Sequence, residues 1–337
     1  MKPLIELPEK VQSVTGIEFL GFTRKAAEEI FQRWVSWATG PESGFEGNII
    51  NFALKHLSML ETPALWDKRV EIALQAVGIS DELSLVLLDP EFAQIFNSKT
   101  LLFWLEDTIK MQYQTLEDLL AKLKNEAIRT LGKKNKNKRP KTIGTLDEQP
   151  TATNAKSSVT STTSASNQLG FLPSTFVVIE SQAPPIRPNQ HVWYKGRGVT
   201  GIRNPLFLDN GGINMLSIKT EMGGDFNQCK LAWYFSPEKE AAELYRSWAA
   251  RRNAHAESWN IRFEVPATFV DTLHKAQLWY SRDWKEFMWR CKKGPTSRMP
   301  AKFDRFAKPG LAQLIEGHIC ARHPNGVSRI DMEIFQK

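Results

Sequence analysis

Cysteine is scarce. The 337 residues hold three, Cys229, Cys291 and Cys320, odd in number, widely spaced and without a CxxC pair. Neither a disulfide framework nor a zinc site is suggested, and a reducing compartment is expected. His255, His274, His318 and His323 show neither HxH nor HExxH spacing, so no metal site is expected. No apolar run approaches the ~18 residues that a membrane span requires, and the opening MKPLIELPEK lacks the apolar centre of a secretory leader. An intracellular protein, cytoplasmic or nuclear, without a membrane partner is expected. The glycines are read as giving no support to the phosphate-loop or dinucleotide-binding folds.

Evenly spread charge is also missing. The net charge is +7, yet residues 132–168 alone hold seven Lys or Arg against two acids, so the rest of the chain carries only +2. A basic folded surface is therefore not expected. The excess begins with KKNKNKRPK at 133–141, where six of nine residues are cationic. Such a run resembles a nuclear import signal or a nucleic-acid patch, and equally a solvated linker. A Ser/Thr/Ala tract follows it. Residues 132–170 cannot bury a core and are expected as a disordered linker between domains at 1–131 and 171–337. Its 37 residues to position 168 would span roughly 35 Å, enough for the two halves to move independently.

What is present, at 42% hydrophobic content, suffices for two ordinary cores. Residues 1–131 read as an all-α domain. Residues 1–16 read as extended, and then Thr23 caps a segment with Ala27, Ile30, Phe31, Trp34 and Trp37 or Ala38 at helical spacing, ending before Gly40. Further helices are expected over 48–60, from Thr62-Pro63 to Val77 with Gly78 closing it, over 80–88, from Asp89-Pro90, and over 99–131. The last is expected to break near Thr115, where Thr115 and Asp118 form a capping box. Trp34, Trp37, Trp66 and Trp104 fall on or beside apolar positions and are expected to fill the core. His56, the only histidine of this half, reads as packed or partly exposed and not as catalytic.

Residues 171–337 read as α+β, with short, mostly antiparallel strands at 175–179, 190–194, 215–220, 230–236, 260–265, 314–320 and 329–335, and short helices at 267–273 and 282–291. The centre of this half is the stretch 223–252, GGDFNQCKLAWYFSPEKEAAELYRSWAARR. Within 230–236, Leu231, Trp233 and Phe235 alternate with Ala232, Tyr234 and Ser236, as a strand requires. Ser236 and Pro237 then suit the start of a helix, with Arg251 and Arg252 at its negative end.

These glycines, the DF, the aromatic strand ending YFS and the Ala- and Tyr-rich helix resemble the second motif of ADP-ribosyltransferases of the poly(ADP-ribose) polymerase type. The first motif of that family, an aromatic, then His or Arg, then Gly, is matched by Tyr194, Lys195 and Gly196 in HVWYKGR, with Lys195 where the family has His or Arg. Its late-strand glutamate is matched by Glu316 in LIEGHIC. The resemblance spans about 176–320 and implies NAD as substrate, cleaved between nicotinamide and ribose. It also implies that Lys195 and Gly196 hold the adenosine ribose or a phosphate, that Tyr234 stacks on nicotinamide with Ser236 beside it, and that Glu316 is catalytic. Glu316 would hold the ribose 2′-hydroxyl and stabilise the cation-like state, as a glycosidase carboxylate does. Glu264 and Glu286 compete for that role. Three functions remain open: an enzyme that transfers ADP-ribose to a macromolecular acceptor or hydrolyses NAD, the same fold as a catalytically silent binding module, and a nuclear protein that meets nucleic acid through 133–141.

Overall fold

The computed structural model describes residues 7–40, 47–61, 69–136, 185–199, 206–208, 212–220, 224–228, 230–293, 297–307, 312–320, 327 and 331–336. The N-terminal half is helical, and polar caps set where its helices start. Thr23 accepts from the Ala26 N–H ahead of the helix Arg24–Ala38, and Asn48 does the same for Ile49–His56. Ser80 caps Asp81–Leu87, and Asp89 with Pro90 opens a single turn of 3-10 helix, Pro90–Phe92. Gly78 closes Val70–Ala76 at φ +70°, where a side chain would be strained. The expected start of that helix at Thr62-Pro63, and Trp66, lie outside the described residues.

Two readings of this half are corrected. Within the stretch expected as extended, Ser13 accepts from Gly16 N–H and starts a short helix, Val14–Phe19. The long helix Leu101–Lys136 is continuous through Thr115, whose side chain is buried and accepts instead from Asn253 Nδ2 at 2.8 Å. It also runs into the first residues of the segment expected as linker. The rest of that segment lies outside the described residues.

The C-terminal half is α+β, with four strands among the described residues. Strands β1 (Gln190–Val199) and β2 (Glu257–Pro266) form an antiparallel ribbon in register from Gln190↔Pro266 to Val199↔Glu257. Strands β3 (Lys275–Leu278) and β4 (Leu314–Gly317) form a parallel pair, which needs a crossover; the helix Arg282–Lys293 lies in that connection. The expected strand 230–236 is not a ladder. It touches its neighbours at two isolated bridges, Ala232↔Thr220 and Ser236↔Tyr194. Met215–Ile218 is a 3-10 turn and Met332–Gln336 is helical, where strands were expected. The expected strand 175–179 lies outside the described residues.

Two cores result. One is built from the N-terminal helices, with Ile30, Leu74, Leu87, Trp104 and Leu105 at its centre; the other from Leu278, Phe287, Met288, Phe303 and Cys320 around β3 and β4. Trp34 packs against the first core and donates its indole N–H to Gly47 O. The expectation that the halves are independent is corrected by the helix Lys239–Arg252, whose Trp248 is 1% exposed inside the first core. Trp248 meets Phe92 and Trp104 at ring centroids of 5.1 and 5.8 Å. The next turn fixes the helix end: Arg252 reaches Asp107 at 2.6 Å and Thr108 at 2.9 Å between the Trp104 and Trp248 rings. The opposite side of this helix lies on the ribbon. Gly196 makes that possible, since a Cβ there would overlap the Ala242 carbonyl. The order of layers is therefore helical core, helix 239–252, ribbon. No helix among the described residues is long and apolar enough to cross a membrane.

Candidate functional site

The ribbon has two unlike faces. Val192, Tyr194, Gly196 and Gly198 share the face under helix 239–252, where Asn260 reaches Glu243 and Ser258 meets Arg246. His191, Trp193, Lys195 and Arg197 share the other, opposite Val265, Phe263, Ile261 and Trp259 of β2. Phe235 joins this second face from the segment beside β1. Its ring lies 6.1 Å from Trp193 and 4.8 Å from Phe263, and His191 stacks on Trp193 at 6.2 Å. The result is a row of aromatic rings, half-buried at Trp193, Phe235 and Phe263 and exposed at His191, that ends in cations.

Lys195 Nζ donates to Tyr234 O at 3.1 Å and sits 5.9 Å from the Phe235 ring centre. Burial, and secondarily the neighbouring Arg197, lowers its pKa from 10.5 to about 8. Arg197 donates to the carbonyls of Gly198, at 2.8 Å, and Ser217. Burial lowers its pKa also, against an opposing pull from Asp107, itself bonded to Arg252. Neither cation has a carboxylate ion-pair partner among the described residues. Two desolvated cations held by carbonyl oxygens alone are costly, and an arriving anion would relieve that cost. Arg197 was not among the residues singled out from sequence. The signal was there, because a residue two positions from Lys195 on a strand shares its face.

The other sequence-derived residues fall as follows. Gly196 faces helix 239–252 and is explained by close packing. Tyr234 turns its ring onto residues 224–228, where its hydroxyl accepts from Phe226 N–H at 2.7 Å and lies 3.3 Å from Asn227 Oδ1. Its hydroxyl is thus already committed. Ser236 pairs its backbone with Tyr194 on both sides and accepts from Glu238 N–H at 3.0 Å, a local cap just ahead of the helix Lys239–Arg252. The segments around Tyr194 and Ser236 thereby lie side by side. Glu316 stands on β4 opposite Gln277, which donates to it at 3.0 Å. The next residue, Gly317, backs closely onto Phe226, whose ring is 6.4 Å from Tyr234.

Glu264 is held by Arg187 and Arg262, at 2.9 and 2.7 Å, on the ribbon face turned away from Lys195. The Arg187 hydrogen bond is the main reason its carboxyl stays below the ordinary range. Glu286 is buried and is clamped by Arg290 and Lys302. Both competitors already have cationic partners. Gly196, Gly198 and Gly201 do match GxGxxG spacing, contrary to the reading of the glycines above, but Gly196 and Gly198 lie inside β1 and not in a strand-to-helix turn. No group of His, Cys, Asp and Glu among the described residues could hold a metal ion.

Comparison with protein-family models, with curated proteins and with solved structures finds no match to this chain.

Proposed function

We propose that the C-terminal half binds NAD and acts at its nicotinamide–ribose bond, as an ADP-ribosyltransferase-like enzyme or an NAD glycohydrolase. The observation that carries the reading is the Lys195–Arg197 pair, two desolvated cations with no carboxylate partner among the described residues, beside a row of aromatic rings. A dinucleotide has complementary chemistry: a diphosphate for the cations and flat rings for the aromatics. The motif resemblance supplies the reaction. The C1′–N bond breaks, nicotinamide leaves with the electron pair, and water or an acceptor nucleophile adds to C1′ and loses a proton. A carboxylate near C1′ stabilises the cation-like state, and Glu316 is the candidate, because Glu264 and Glu286 are held by cations. The test is NAD turnover by the full chain. Glu316→Gln should leave NAD affinity nearly unchanged and lower turnover ~10²–10³-fold, the scale of losing one preorganised electrostatic contact.

A second reading, a silent binding module of the same fold, is favoured by the committed Tyr234 hydroxyl and by the hydrogen bond that Glu316 takes from Gln277. Saturable NAD binding without nicotinamide release would select it. Neither binding nor turnover would remove both readings.

A further inference from the structure

We propose that the surface at the carboxyl ends of β3 and β4 binds single-stranded nucleic acid, independently of any NAD chemistry and of the basic run at 133–141. The parallel register brings both carboxyl ends to one edge, where Leu278 pairs with Gly317. The chain leaves that edge as Trp279 and Tyr280 on one side and His318 and Ile319 on the other. Trp279, Tyr280 and Ile319 are 50%, 63% and 63% exposed. They form one patch on a fixed frame. Trp279 meets the His318 ring at 5.2 Å, Tyr280 N–H donates to His318 Nδ1 at 3.1 Å, and Trp284 Nε1 donates to His318 O at 2.9 Å. Rings held this way lose little freedom when a ligand stacks on them.

The charge around the patch indicates what it takes. Residues 275–307 contain nine Lys or Arg and three Asp or Glu; Lys275 and Lys292 are paired with Asp271 and Asp225 outside that stretch, which leaves a net +4 that the count over the whole chain conceals. Lys285 lies 5.4 Å over the Tyr280 ring, and Arg282, two residues after Tyr280, is exposed. Exposed aromatic faces among cations match a strand of unstacked bases with phosphates between them. A duplex hides its base faces, and an acidic peptide offers charge without rings.

The test uses the full chain and fluorescein-labelled 20-mers of oligo-U and oligo-dT, followed by anisotropy across a salt series. Expected are saturable binding of one or both strands, with affinity falling as salt rises, and weaker binding of a duplex of equal length. Trp279→Ala with Tyr280→Ala should weaken single-strand binding at least ten-fold, the lower end of losing two base stacks, with an unchanged circular dichroism spectrum. Trp279→Phe with Tyr280→Phe should restore most of it. Oligo-U over oligo-dT would identify RNA as the ligand and the reverse DNA. The proposal is overturned if neither strand binds, if duplex or poly-glutamate competes as well as the single strands, or if the double alanine variant binds normally while replacing the six cations of 133–141 with Gln abolishes binding.

Discussion

Lys195→Met separates the two consequences of burying an unpaired ammonium. A lysine with a folded pKa of about 8 and an unfolded value of 10.5 binds fewer protons in the folded state between those limits. Stability therefore rises with pH across that window, and below it the fold bears the full penalty of the buried charge. The shift corresponds to at most about 3 kcal/mol at neutral pH. Methionine removes that penalty but also removes the hydrogen bond to Tyr234 O, worth about 1 kcal/mol. At pH 7 the penalty is larger, so Lys195→Met should be more stable than wild type by about 1–2 kcal/mol. Near pH 10.5 the penalty is gone and the sign should reverse. Urea denaturation at both pH values measures this directly. Calorimetry should show the functional half: the diphosphate of NAD favours the charged lysine, so affinity is flat below pH 8 and falls above it as binding takes up a proton. Lys195→Arg should flatten that fall. A methionine variant less stable than wild type at pH 7, or equal to it in NAD affinity, would refute the account of a strained cation awaiting an anion.

How much of this was legible in the sequence depended on how local the deciding interaction is. Thr23, Asn48 and Ser80 announce their helices because a cap and the periodicity behind it lie within one or two turns. The ribbon strands were legible in part from alternation, 190–194 and 260–265 each falling inside a longer strand. Residues 230–236 alternate just as well, but whether a strand forms is decided by partners supplied from elsewhere, and only Ala232 and Ser236 find one. Thr115 looked like a cap because its partner is 138 residues away at Asn253. Trp248 looked like part of a separate domain for the same reason. Lys195 was singled out only by a resemblance to a family motif, whereas the burial of Arg197 without a carboxylate is a property of the assembled ribbon. The inward turn of the Tyr234 side chain depends on residues 224–228 folding back onto it, which alternation does not encode.

Gly196→Ala should destabilise the protein markedly even though alanine suits a strand better than glycine, because its Cβ would collide with the Ala242 carbonyl and separate ribbon from helix; a thermal melt at or above the wild-type midpoint would count against that packing. His56 is buried, its Nε2 bonded to Val77 O and its Nδ1 to Arg33, and burial is the main cause that holds its pKa below 6.5. Since the folded state favours the neutral ring, stability should decline as pH falls through about 6.5, and His56→Gln should show a flatter acid limb in urea titrations. Trp248→Ala tests the coupling of the two halves. Removing a ring that is 1% exposed between Phe92 and Trp104 should cost about 3–5 kcal/mol, the range for an unfilled aromatic cavity. Arg252 would lose one of its two aromatic faces as well. Because helix 239–252 belongs to both layers, hydrogen exchange should rise together in Ile49–His56 and in β1. Faster exchange confined to the N-terminal helices, with β1 protected as in wild type, would mean that the ribbon holds this helix without help from the first core, and that the halves fold separately after all.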